Sequence, residues 1–235
     1  MVALWIVVTG AEWVPEQLLV PPLKVMEAAA ELWDSGELAE HLRKSLYRLS
    51  LGFFTGASLG LVFGVLMGLF KSVEDYCAPF FNAFRQVPSI AFIPMLILIF
   101  GIEETFKIVI VAKAAFFPVA LASYDSVKGI PRHYFEVAKV YRCPVWPLIQ
   151  QVVVPATVPQ ILTGLRLSLS RSWMVLVAAE LMAADSGIGQ MMEWGRQMFR
   201  MDIVVVGVII TGLIGFTLDR SFKLLESRLV RWKTR

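Results

Sequence analysis

Five ionisable side chains, Lys107 near the edge of its block among them, stand inside otherwise apolar stretches of this 235-residue sequence, and they define the chemistry open to it. Lys113 falls near the middle of residues 106–123, while Arg166, Arg171 and Glu180 interrupt residues 156–182. A central Lys or Arg costs about 2.5–3.5 kcal/mol on membrane-insertion scales, so such a group should face protein or a water-filled cavity. Arg166 and Glu180 lie within roughly 40° of one helical face but about 21 Å apart along the axis, too far to pair. Arg171 shares a face with Ser168 instead. Two readings follow. In one, Lys113, Arg166, Ser168, Arg171 and Glu180 belong to a polar translocation pathway, with Lys113 and Arg171 favouring an anionic solute. In the other, the charges are structural and pair with carboxylates or carbonyls on other helices.

Bond-making chemistry finds no such foothold. The two cysteines, Cys77 and Cys143, sit in no CxxC or Cys/His cluster, and His41 and His133 lack metal-ligand spacing. The sequence contains no G-x-S-x-G, H-E-x-x-H or G-x-x-x-x-G-K-[ST] pattern. The expectation is a protein that is not an enzyme and holds no metal or cofactor of its own. If nucleotide hydrolysis drives it, another chain supplies the phosphate-binding loop.

The elements that must position these charges are membrane spans. The sequence is 57% hydrophobic and 17% charged, with a mean hydropathy of +0.67. That is too apolar for an ordinary soluble domain, in which about 25% of residues are charged. Residues 51–70 contain no charge at all and would form a helix of about 30 Å, the thickness of a bilayer core. Residues 87–101, 106–123, 156–182 and 203–218 are the other apolar blocks, and residues 2–9 form a stub too short to span alone. The expected fold is therefore all-α. It is a polytopic transmembrane bundle with about five full spans and a truncated first helix. One transmembrane domain covers 1–235: a partial helix and external amphipathic segment over 1–45, a core bundle over 46–225, a loop helix within 131–155 and a basic tail over 226–235.

Lys and Arg fall unevenly between the loops. Lys71, Arg85, Lys128, Arg132, Lys139, Arg142 and the tail from Arg220 to Arg235 lie on one side, and the acidic segment 11–45 lies on the other. By the positive-inside rule the basic side is cytoplasmic, with both termini inside. The net charge of +3 then reflects topology and gives no footprint for nucleic acid. Within the clearest span Gly52, Gly56, Gly60, Gly64 and Gly68 recur every four residues. Such a stripe lets a neighbouring backbone approach closely, whether a helix of the same chain or of a second copy.

The long basic loop reads PRHYFEVAKVYRCPVWPLIQQVVVPATVP from Pro131 to Pro159. A short helix would carry Phe135, Val137, Ala138, Val140 and Tyr141 on its apolar side, with Glu136, Lys139 and Arg142 at the rim. Pro144 and Pro147 break it. This loop resembles the EAA loop of ABC importer permeases: Glu136 and Ala138 match its start and Pro155 its end. Arg142 stands where that family has Gly, and Val154 where it has Leu. The likeness extends along the chain to the permeases of the nitrate, sulfonate, taurine and bicarbonate group. Its points are Pro21-Pro22, Gly36-Glu37-Leu38, His41, Ser45-Leu46, Arg48, Arg85-x-x-Pro88-x-x-Ala91-x-x-Pro94, Phe100-Gly101, Gly164-Leu165-Arg166, Trp173, Ala179-Glu180 and Gly187-x-Gly189. Ile102-Glu103-Glu104 departs from the Gly-containing turn usual there.

The resemblance implies a mechanism and a set of partners. Two permease copies would pair in the bacterial inner membrane, each resting residues 135–142 in a cleft of one of two cytoplasmic ABC ATPase subunits. Those subunits would hold ATP and Mg. An external binding protein would deliver a small solute, passed inward by alternating access. A secondary transporter or channel for a small anion is the alternative. The internal repeat common in secondary transporters is not apparent.

Overall fold

The computed structural model describes Trp5 and residues 20–229, and of Arg132, Phe135 and Val145 the backbone. Apart from Trp5, the expected stub at 2–9, the rest of the segment 1–19 and the tail beyond 229 lie outside the described residues.

Every described element is helical. The chain enters α1 (Pro22–Asp34) with Pro22 in the first turn, where its missing N–H costs nothing. Gly36, at φ 78, turns the chain into α2 (Glu37–Leu69). Glu37 and Glu40 lie in its first turn, where negative charge suits the helix dipole. The span therefore starts well before residue 51. The segment up to 45, expected to lie outside it, supplies its first turns, and its 33 residues reach about 50 Å.

The next apolar block is broken. α3 (Lys71–Gln86) stops before Pro88, which disfavours helical geometry in the residue preceding it. A 3-10 turn (Ser89–Phe92) then leads into α4 (Ile93–Phe100), and the two halves are bent by 91°. α5 (Glu104–Lys128) is a full-length span, followed by the short α6 (Arg132–Val140) and α7 (Val145–Leu148). A wide π-type turn (Ile149–Val153) opens α8 (Val154–Ala183). α9 (Ile188–Gln197) and α10 (Met201–Leu229) complete the described chain. Among the described residues four helices are long and apolar enough to cross a membrane, and the bent pair makes a fifth if it counts as one broken span.

The centre of the bundle is α2 packed on α5, with α8 against both. The glycine stripe of α2 faces α5. A Cβ on Gly52 would lie 2.7 Å from Val111 Cβ, one on Gly60 2.5 Å from the Phe116 carbonyl oxygen, and one on Gly68 2.8 Å from Val127 Cβ. On Gly56 or Gly64 it would overlap the carbonyl oxygen of Ala112 or Ala120. The close approach is thus intramolecular, and it brings the two backbones into direct contact.

Phe106, Ile110, Trp173, Leu176, Ile188 and Ile203 fill the core at the end of the bundle where α5 and α10 begin. Trp173 Nε1 donates to the Thr211 carbonyl at 3.1 Å, tying α8 to α10. α1 lays Val25, Ala28 and Leu32 on the same core, and Arg200 clamps it by an ion pair to Glu31 at 2.8 Å and a second to Asp202 at 2.7 Å. That guanidinium holds the Glu31 carboxyl below the usual carboxylate range. Phe54, Leu59, Met174, Val208, Leu213 and Phe216 remain exposed, as expected of a surface whose solvent is lipid.

Candidate functional site

The break at Val87–Pro88 opens a cavity of about 390 Å³ between the bent pair, α5 and α8. Among the described residues Arg85, Lys113 and Arg171 line it together with Ser89, and no Asp or Glu does. Lys113 reaches it from the middle of α5. Its Nζ sits 4.1 Å from the centroid of Phe92 and 5.3 Å from that of Phe117, and donates to the Val87 carbonyl at 3.4 Å. Aromatic faces attract a cation without neutralising it. A second cavity, of about 470 Å³, continues along α5 and α8 past Asp125, Gln160 and Thr163. The two share Pro118, Leu121 and Arg171.

The remaining polar residues singled out in the apolar blocks face other helices. Arg166 pairs with Asp219 and with Glu226 of α10, each at 3.4 Å, and Thr163 donates to Glu226 at 2.7 Å. Ser168 is fully buried and donates to the Ala115 carbonyl at 3.1 Å. Glu180 is 1% exposed and forms the centre of a polar cluster at the end where α5 begins.

Sequence reasoning named Glu180, and His41, Ser45, Arg48, Gly187 and Gly189 as points of the family likeness, but did not bring them together as a cluster. Arg48 of α2 is 0% exposed and reaches two carboxylates, Glu180 at 2.8 Å and Glu104 at 2.6 Å. Its Nη1 and Nη2 also donate to the carbonyl and hydroxyl of Ser186. Glu180 further accepts from Ser45 at 2.8 Å and from the Gly189 amide at 3.1 Å. The connection into α9 is fastened to α2 by two more bonds, from the Gly187 amide to His41 Nδ1 and from the Ile188 amide to Ser45. Gly187 adopts φ 113, and a Cβ there would run into the Glu180 carboxylate. Buried Lys107 completes the group, 3.7 Å from Glu104. A signal was available in the sequence. Arg48 stands four residues before Gly52 and so lies on the glycine stripe, where any charge must be buried against α5.

At the opposite end α6 projects with little covering it. Val137, Val140 and Tyr141 are exposed, the last two by 80% and 81%, and Trp146 of α7 is exposed beside them. Arg142 closes the helix at φ 50. Its amide donates to Lys139 and that of Cys143 to Ala138, the paired bonds of a Schellman turn. The elbow thus has the left-handed shape that Gly adopts freely, with Arg in its place.

The family described as binding-protein-dependent transport system inner membrane component matches residues 59–231. The chain is 40% identical over 233 residues to a Bacillus subtilis protein named as an aliphatic sulfonates transport permease, SsuC, covering 99% of this chain and 84% of that one. The chain belongs to this family. It is also 32% identical to the Escherichia coli taurine transport system permease TauC (99% and 86% covered). It is 28% identical to the nitrate import permease NrtB of Synechocystis (90% and 80%). The fold agrees with solved ABC transporter chains. The TM-score is 0.68 against an amino acid ABC transporter, at 15% identity with 86% and 96% covered. Against the inward-facing MetNI methionine transporter it is 0.59, at 21% identity with 78% and 94% covered.

The protein is therefore a multi-pass permease component of a binding-protein-dependent transporter. One consequence concerns the elbow. A left-handed non-Gly residue costs roughly 1–2 kcal/mol, so Arg142→Gly is expected to raise the permease's thermal midpoint in detergent by a few degrees. A lower midpoint would mean that the arginine side chain makes a compensating contact.

Proposed function

We propose that the chain is one of two identical permease subunits of an ATP-driven importer for a small sulfonate or a similar anion. The observation that carries this is the cavity lined by Arg85, Lys113 and Arg171 with no carboxylate, in a chain similar to sulfonate, taurine and nitrate permeases. Cations at mid-span are costly unless they face protein or a water-filled cavity, and a pathway for anions is a use that justifies them. The path runs from this cavity past Arg171 into the second one along α5 and α8. Arg166, Ser168 and Glu180, whose polar atoms bond to neighbouring helices, hold the walls and do not touch solute.

The positive-inside rule puts α6 and both termini in the cytoplasm. There Val137, Val140 and Tyr141 supply an apolar edge to bury in an ATPase subunit, and Glu136 and Lys139 supply orienting rim contacts. The stiff Schellman elbow and Pro144 transmit that subunit's motion to α8 through the π-type turn.

The test is uptake by the complex reconstituted with its ATPase subunits and binding protein. ATP-dependent accumulation of ethanesulfonate or taurine is expected. Accumulation of neither, with the ATPase bound and active, would overturn the sulfonate reading, and failure of any ATPase to co-purify would overturn the importer reading.

A further inference from the structure

The charge balance around the α3–α4 break goes beyond a path that merely tolerates anions. Arg85, Lys113 and Arg171 come from three separate elements, α3, α5 and α8, and meet in one cavity. Among the described residues none of the three forms an ion pair, whereas Arg48, Arg166 and Arg200 each bond to carboxylates of this chain. Lys113 is also held in place. Phe92 and Phe117 flank its ammonium, and its one hydrogen bond, to the Val87 carbonyl, leaves two N–H donors for other partners. Ser89 adds a hydroxyl at the break itself.

From this we infer that the permease holds its own binding site for a single sulfonate- or phosphate-type oxyanion, built from Arg85, Lys113, Arg171 and Ser89. The inference rests on the anion-importer reading but adds to it: solute dwells at a defined station inside the permease after leaving the binding protein. Three cations lining one cavity repel one another when the site is empty, and one oxyanion between them would relieve that repulsion while accepting several charge-assisted hydrogen bonds. A broken helix near mid-span is a place where transporters can expose such donors without exposing backbone to lipid. A free sulfonate and the phosphate of an anionic lipid present the same chemistry, so the source must be separated by experiment.

The complex with its ATPase subunits, placed in phosphatidylcholine nanodiscs without binding protein, is titrated with radiolabelled ethanesulfonate. Saturable binding is expected. It should weaken at least ~10-fold in each of Arg85→Met, Lys113→Met and Arg171→Met, the loss of a charge-assisted hydrogen bond, and recover substantially in Lys113→Arg and Arg171→Lys. Size-exclusion elution of each variant with its ATPase guards against misfolding. Mass spectrometry of retained lipid gives the second arm. Phosphatidylglycerol bound by the wild type and lost in the Met variants makes lipid the occupant and sustains the oxyanion site. Absence of both ligands, or binding indifferent to the three substitutions, overturns it. If ethanesulfonate uptake by the complete importer survives at wild-type rate in all three Met variants while no binding is found, the site is refuted and the importer reading stands. An importer that takes up no sulfonate at all refutes that reading instead.

Discussion

Arg48→Met is expected to lower the stability of the permease by about 3–5 kcal/mol, the usual cost of leaving a buried charge without its partner. Arg48 is wholly buried and supplies hydrogen bonds to Glu180, Glu104 and Ser186. Without it, Glu180 would retain only the Ser45 hydroxyl and the Gly189 amide. The connection from α8 to α9 would lose two of its ties to α2. Thermal unfolding in detergent, followed by loss of the monodisperse peak, measures the effect. The double substitution Arg48→Met with Glu180→Gln should recover part of the loss, because no buried carboxylate is then left unpaired. A single variant that unfolds with the wild type would show that Arg48 finds compensating solvent, and the cluster would lose its assigned role.

Glu136→Lys and Tyr141→Asp are expected to reduce ATP-driven uptake at least ~10-fold while leaving membrane insertion and the thermal midpoint unchanged. Glu136 and Tyr141 are exposed and outside every hydrophobic cluster of the described core, so the fold gains little from either side chain. A docking surface depends on them differently. A buried aromatic anchor and an orienting rim charge dominate such interfaces, and an Asp in place of Tyr141 would have to be desolvated without a partner. Hydrolysis that continues without transport would mark loss of coupling, and loss of the ATPase from the complex would mark loss of docking. Wild-type uptake in both variants would count against α6 as the coupling element.

Much of the bundle was legible from composition, and the reason is physical. A bilayer admits only elements whose backbone groups are satisfied internally, so long apolar runs at 51–70, 106–123, 156–182 and 203–218 had little choice but to be helices. Their ends were less legible. α2 begins at Glu37 because a charged amphipathic stretch continues the same helix past the apolar block. The block at 87–101 became a sharp bend because Pro88 and Pro94 interrupt it, and the angle depends on what packs in the gap. Arg142 shows the opposite case. The residue argued against a left-handed elbow, yet Schellman hydrogen bonds from two successive amides and the proline that follows hold the turn against the side chain's preference.

The candidate site divides along the same line. Residue types alone identified Lys113 and Arg171 as charges that must avoid lipid, and the glycine stripe as a close helix contact. The order of motifs alone identified the family. Sequence could not say which buried charges meet a carboxylate, because partners such as Glu180 for Arg48 and Asp219 for Arg166 come from distant helices. Only the tertiary packing separated the paired cations from the unpaired ones. It brought Arg85, which lies in the basic loop set by sequence, into one cavity with Lys113 and Arg171. Local patterns fix which segments leave water, while long-range packing fixes which charges are neutralised, because a carboxylate partner is brought to a buried cation only when distant helices pack together.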